Sequence, residues 1–244
     1  MTDIDLYRDK GLEIYEKAHY SHGEHILEVE AILSWYGKID GRVLDIGCSG
    51  GLHAIDLAKR GYSVTGIDRE TSAIELARRR SFEEGLKADF FVADLEKDDL
   101  SGHGRFDLVY SLGNVISHIS KKTLPAVLKK IRSCLEIDGI FLFDILLIGE
   151  CFPEEVHEKD LGIIWKRRLD RESGEILLRG IFENLGVTQD FRVWGHGREE
   201  MQELLREAGF KGIDASPSLA FTESGGRAEY PVCLRYRARA RGDE

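Results

Sequence analysis

Three carboxylates, Asp45, Asp68 and Asp94, stand at or beside the ends of short apolar runs, where a side chain can meet a bound molecule without breaking a strand. The first run, Val43-Leu44-Asp45-Ile46, breaks into Gly47-Cys48-Ser49-Gly50-Gly51. Glycine takes positive φ readily and lets a ligand come against the backbone. Leu52, Ile55, Leu57 and Ala58 then recur at roughly helical spacing. Gly51 is therefore expected near a helix N-terminus, where free N–H groups and the macrodipole favour an anionic group. Asp68 closes a second run about 20 residues on, the spacing at which a Rossmann-like unit sets an acid on ribose hydroxyls. Asp94 closes a third, after Phe90-Phe91-Val92-Ala93. A fourth run, Phe106 to Ser111, empties into Leu112-Gly113-Asn114 and then His118. An amide oxygen can orient an amine lone pair, and an imidazole can take a proton. No Gly-x-Ser-x-Gly or comparable nucleophile–base pairing accompanies these residues.

Positioning these groups needs strands that alternate with helices. Ser72-Ala73-Ile74-Glu75 has the Ser-x-x-Glu form of a capping box and predicts a helix directly after the Asp68 strand. Lys121 to Leu135 reads as a helix with Leu124, Val127, Leu128 and Ile131 inward, and Gly139 to Leu147 as a fully buried fifth strand. Strands separated by helical segments imply a parallel sheet with helices on both faces. Residues 1–40 are expected to be helical, with apolar groupings at Ile14, Tyr15 and Ala18 and at Ile26, Val29, Ile32, Leu33 and Tyr36. Residues 149–196 break the alternation. Leu161 to Leu169, Glu175 to Glu183 and Val187 to Trp194 read as three successive strands, an antiparallel insertion at the ligand-binding edge. Trp165, Arg167, Arg168, Phe182, Trp194 and His196 are its candidates to face a ligand. The alternation returns with a helix from Glu199 to Ala208, a strand from Phe210 to Ile213 and a last strand from Tyr230 to Ala238, with a loop from Ser216 to Arg227 between the two.

A chain of 244 residues carries one large α/β domain. Its formal charge of −10 disfavours unaided nucleic-acid binding, which needs a concentrated basic surface. The Arg235 to Arg241 segment reads as a solvated edge strand and tail. Cys48, Cys134, Cys151 and Cys233 show no Cys-x-x-Cys spacing, and no leader or long apolar span precedes them, which predicts free thiols and a cytoplasmic setting. Cys48 reads as a small residue that fits a tight loop. His22, Glu24 and His25 have the types of metal ligands, but no second ligand cluster stands out, so they read as loop and capping residues and no metal is expected.

The three acid-ended runs together resemble the class I S-adenosylmethionine-dependent methyltransferases, over roughly residues 40–145 and 197–240. The resemblance implies a Rossmann-like α/β fold with a seven-stranded, mostly parallel sheet whose last strand is antiparallel. It places Asp45 and Gly47, with Cys48 and Gly51, in the methionine-binding motif. Asp68, with Arg69 beside it, becomes the ribose acid, and Asp94 with Leu95 the adenine-contacting pair. The family usually has glycine where this chain has Ser49, so Gly50 and Gly51 are expected to supply the flexibility one residue later. The Leu112-Gly113-Asn114 turn and His118 are similar to the small-molecule methyltransferases related to glycine N-methyltransferase. That likeness implies cofactor contacts from Ser111, Leu112 and Gly113 and catalytic roles for Asn114 and His118. It also implies a covering N-terminal segment that brings Tyr15 and Tyr20 to the site, Tyr20 as a catalytic candidate.

Methyl transfer from a sulfonium is an in-line displacement, so the protein mainly positions a nucleophile and excludes water. The expected partner is a small molecule, an amine first, with no nucleic acid and no membrane; a homodimer is compatible with the sequence. Arg167 and Arg168 are the candidates to hold an acceptor carboxylate. Three alternatives stand beside this reading: a protein or peptide acceptor, a non-catalytic S-adenosylmethionine-binding protein, and an NAD-dependent oxidoreductase. The last would share the glycine turn and Asp68 but would not call for Asp94-Leu95 or the antiparallel ending.

Overall fold

The computed structural model describes residues 1–20, 23–149, 152–159, 161–217 and 233–240, with only the backbone at 24, 216, 217 and 233–235. In chain order the elements are β1 (Thr2–Asp3), α1 (Lys10–His19), α2 (Glu24–Tyr36), β2 (Arg42–Ile46), α3 (Leu52–Lys59) and β3 (Ser63–Asp68). Next come α4 (Thr71–Glu83), β4 (Asp89–Val92), β5 (Phe106–Ser111), α5 (Leu124–Ser133) and β6 (Leu135–Leu146). The remainder is β7 (Glu155–Glu158), β8 (Ile163–Leu169), β9 (Glu175–Phe182), β10 (Val187–Trp194), α6 (Arg198–Glu207), β11 (Lys211–Pro217) and β12 (Cys233–Arg239).

Seven strands form the main sheet in the order β11-β12-β6-β5-β2-β3-β4. β2 to β6 pair in parallel, and β12 runs antiparallel to both β6 and β11. This is the Rossmann-like order with an antiparallel last strand that the sequence resemblance implies. Its central strands are apolar on both sides because helices cover both faces. Ile46, Val109 and Phe143 pack with α5 and α6 residues on one face; Val43, Leu108 and Leu142 pack with α2 and α3 residues on the other. Parallel strands put their carboxyl ends on one edge, where ligands bind in open α/β sheets.

The second sheet is larger than the sequence reading. Its order is β1-β10-β9-β8-β7, so the insertion supplies four strands and the N-terminus a fifth. β1 lies parallel to β10, with Thr2 opposite Val187 and Asp3 opposite Thr188. The first residues are therefore strand rather than helix, because β10 offers an edge whose backbone groups need partners. The main-chain N–H of Leu6 donates to the Gln189 side chain (2.8 Å), which carries the arm onward into α1. The predicted capping box at Ser72 does not form: Glu70 is the N-cap of α4, and the Ser72 hydroxyl accepts from the Asp9 N–H (3.2 Å). The helix start is served instead by Asp68, which accepts from the Glu70 N–H (2.9 Å). The loop expected at 216–227 lies mostly outside the described residues.

Candidate active site

A cleft opens at the carboxyl ends of β2, β3 and β5 and in the loop after β4, roofed by the N-terminal arm and α1. Its empty space, counting that open to solvent, is about 1290 Å³. Gly47 follows β2 with φ 76°, and a Cβ there would lie 2.6 Å from Val115 Cγ2. Only glycine fits that position. Ser49 itself takes φ 48°, while Gly50 is not left-handed. Of the two glycines expected to supply the flexibility, Gly51 does, at φ 81°, but Gly50 does not, and Ser49 is left-handed in its place. The Ser49 N–H donates to Asp68 Oδ2 (3.0 Å), which holds the strained turn in place.

Asp68 stands at the end of β3, with each carboxylate oxygen accepting one backbone N–H, from Ser49 and from Glu70. Burial raises its pKa, and these two hydrogen bonds pull it back. Asp45, one residue before the end of β2, is 3% exposed. Burial pushes its carboxyl up to about 6, against the lowering charge of His53. His53 follows the glycine turn on α3, and its Nε2 lies 2.6 Å from Glu28 on α2. Cys48 is buried and its thiol is pushed up, so it is a packed side chain rather than a nucleophile. Asp94 and Leu95 also line the cleft. Hydrogen bonding from Lys97 leads the causes that lower the Asp94 carboxyl.

The other wall comes from the exit of β5. Gly113 (φ 77°) and Asn114 (φ 62°) are both left-handed, a turn that needs holding. Asp144 on β6 holds it: its carboxylate accepts from the N–H of Gly113 (3.1 Å) and of Asn114 (2.7 Å). That turn aims Val115 and His118 at the cleft. Burial lowers the His118 pKa to about 4, with the Arg69 charge adding, so its ring is neutral near pH 7. His118 Nε2 lies 3.3 Å from the Tyr7 hydroxyl. Tyr7, Tyr15 and Tyr20 all line the cleft, and burial raises all three pKa values. α1 is tied down by Glu16, which forms two 2.7 Å bonds with Arg80 of α4; Arg80 also donates to the Gly50 carbonyl (2.9 Å).

Residues 43–139 match the sequence profile of a family described as a methyltransferase domain. These residues form a methyltransferase domain. The chain is 31% identical over 124 residues to the ubiquinone biosynthesis O-methyltransferase of Colwellia psychrerythraea, covering 50% of this chain and 49% of that protein. It thus spans about half the length of such relatives. A carboxy-S-adenosyl-L-methionine synthase of Nautilia profundicola is 28% identical over 191 residues, 77% of this chain and 76% of that one. Among solved structures, a SAM-bound amino pentose methyltransferase of Micromonospora echinaspora superposes with a TM-score of 0.68 at 18% identity, covering 98% and 100% of the two chains. That likeness shows the shared fold.

Of the residues singled out in the sequence, the methyltransferase domain and its arm bring Tyr15, Tyr20, Asp45, Gly47, Cys48, Asp68, Arg69, Asp94, Leu95, Leu112, Gly113 and His118 to one cleft. Three others lie outside its lining. Ser111 is fully buried and donates to the Ile46 carbonyl (3.0 Å), tying β5 to β2. Gly51 caps α3 with φ 81°, where a Cβ would meet Ala77 and Phe90. Asn114 belongs to the turn that Asp144 holds. The insertion's candidates do not line the cleft either. Arg167 is 6% exposed, with its guanidinium 4.4 Å from the Phe152 ring; Trp165 donates to Glu158; His196 is 1% exposed. Cys151, His22 and the side chains of Glu24 and Cys233 lie outside the described residues. Among those described, no group of three or more His, Cys, Asp or Glu is arranged to hold a metal ion. No described helix is long and apolar enough to cross a membrane.

Four site residues are new to the structure: Tyr7, His53, Glu28 and Asp144. Asp144 carried a readable signal. An acid inside Phe141-Leu142-Phe143-Asp144-Ile145 must be paired if that strand is buried.

Proposed function

We propose that the protein transfers the methyl group of S-adenosylmethionine to a small-molecule acceptor, an amine first. One observation carries this reading: a single cleft joins the Asp68 and glycine-turn wall to His118 and Tyr7 under a covering arm. The residues present fit the cofactor. Gly47 leaves the space that a Cβ would fill, and each Asp68 oxygen retains acceptor capacity beyond its one backbone bond, suited to ribose hydroxyls. Asp45 offers an anion to an ammonium, and Asp94 and Leu95 flank the end suited to the base. S-adenosylmethionine supplies an electrophilic methyl on its sulfonium; the chain must orient the acceptor and keep water out.

The tyrosines stay protonated and act as hydrogen-bonding groups, not bases. His118 is the neutral group that can take a proton from the acceptor, and a pKa near 4 makes it pass that proton on rather than keep it. Tyr7 sits against its Nε2 and restrains the ring. A small acceptor agrees with the arm and α1 that roof the cleft, and with the small-molecule names of the relatives. A hydroxyl acceptor is the second reading, favoured by the O-methyltransferase relative. Radiolabelled methyl transfer onto a panel of small amines, phenols and peptides tests both. Label in amines or phenols supports the small-molecule reading, and label in peptides alone overturns it.

A further inference from the structure

The left-handed pair Gly113 and Asn114 brings two successive N–H groups to one side, the arrangement of an anion nest. Here the anion is built into the chain. Asp144, 3% exposed on β6, gives Oδ2 to the Gly113 N–H (3.1 Å) and Oδ1 to the Asn114 N–H (2.7 Å). A second tie from the same strand holds the far end of the segment: the Leu146 N–H donates to Oγ of the fully buried Ser117 (2.9 Å). Residues 113–118 are thereby fastened at two points to an interior strand of the main sheet. What they carry into the cleft reaches both of its walls. Val115 lies 2.6 Å from where a Gly47 Cβ would be, and His118 Nε2 lies 3.3 Å from the Tyr7 hydroxyl. The Tyr15 hydroxyl, from the roof, is 3.8 Å from where a Gly113 Cβ would be. Asp144 itself does not line the cleft, so it acts through the segment it holds.

We infer that Asp144 is a positioning residue of methyl transfer: by holding residues 113–118 it sets the place where the acceptor meets the methyl donor. The inference rests on the methyltransferase reading of the cleft. An amide of the same shape cannot replace this carboxylate, because its NH2 would face one of the two N–H donors. The Asp144 charge is also felt at the roof. Burial leads the causes that raise the Tyr15 and Tyr20 hydroxyls, Glu28 follows, and Asp144 adds to both. An anion behind this wall favours positive charge at the point of transfer.

Sinefungin is S-adenosylhomocysteine with an aminated carbon in place of the sulfur, so its ammonium stands where the transferred methyl would. The ratio of the two affinities reads the surroundings of that point without an acceptor or turnover. Calorimetry on the full chain is expected to show sinefungin binding about tenfold tighter, the scale of one charged hydrogen bond. In Asp144→Asn and in Ser117→Ala the ratio should fall at least about threefold while S-adenosylhomocysteine affinity is nearly kept. Ser117→Ala changes no charge, so a fall there reports placement. Both ligands are measured on the same protein, so partial loss of folded variant cancels from the ratio; where Asp144→Asn does not fold, Ser117→Ala decides. An unchanged ratio in either variant overturns the inference: in Asp144→Asn it means that the segment keeps its place unaided, and in Ser117→Ala that Asp144 acts by charge alone. A wild-type ratio near one overturns it too and leaves the cofactor reading intact. A wild-type chain that binds neither ligand removes both.

Discussion

Asp45 and His118 face one cleft with opposite titration behaviour. The Asp45 carboxyl, ordinarily near 3.8, is pushed to about 6 by burial, so the native state holds its proton more tightly than the unfolded chain does. The support this gives to folding is complete below about pH 3.8 and is lost as pH rises through about 6. That gap corresponds to about 3 kcal/mol at 1.36 kcal/mol per pH unit. Asp45→Asn is accordingly expected to stabilise the ligand-free protein in urea melts, by up to about 3 kcal/mol at pH 7 and by less at pH 5. No gain at pH 7 would mean that the ionised carboxylate is not penalised. His118 has the reverse sign, its folded pKa of about 4 lying below the ordinary 6.5, so its contribution is present above pH 6.5 and lost as pH falls through about 4. Transfer rates should therefore show no His118 limb near pH 6.5. A limb there that vanishes in His118→Asn would contradict this assignment. In the glycine turn, Gly47→Val combines φ 76° with a 2.6 Å approach to Val115 and should abolish cofactor binding. Ser49→Gly removes a left-handed non-glycine residue at φ 48°. The relief of roughly 1 kcal/mol is offset by the freedom glycine gains when unfolded, so thermal melts should move by only a few degrees. A large destabilisation would show that the serine hydroxyl is needed there.

At the scale of elements, the arm, α1 and the insertion form one cover, because β1 completes the sheet that begins with β7. Apolar periodicity predicted β2 to β6, α3 to α6 and three insertion strands to within a few residues, since each buries a face of its own. It could not show β1. A two-residue strand has no period, and its pairing with β10 joins residues about as far apart as Thr2 and Val187. β7 was missed in the same way, being four residues of mixed burial. Arg80 ties this cover to the glycine turn, bonded to both Glu16 and Gly50. Arg80→Met should speed amide hydrogen exchange across α1 while leaving β2, β3 and β5 protected, and weaken S-adenosylhomocysteine binding several-fold. Unchanged exchange in α1 would mean that packing alone holds the helix.

Across the whole molecule, the main sheet supplies the Asp45, Asp68 and Asp94 wall of the cleft and the second sheet braces the arm that roofs it. The ligand-facing edge was legible because acids at strand ends are local signals, and Asp45, Asp68, Asp94 and His118 do converge. The partners that set their chemistry were not. Glu28 and His53 are 25 residues apart and meet only when α2 packs on α3, and Asp144 reaches the Gly113 turn from 31 residues away. Asp68 shows the same limit: its backbone bonds to Ser49 and Glu70 make it a brace for the turn as well as a candidate ribose ligand. Removing its side chain outright would orphan two N–H donors, so the conservative Asp68→Asn is the cleaner probe. The measurement that bears most directly on the central claim is calorimetric titration of S-adenosylhomocysteine into the full chain and into Asp68→Asn. The site described here predicts saturable one-to-one binding that weakens at least about tenfold in the variant. No binding to the wild-type chain, or equal affinity in both, would contradict it.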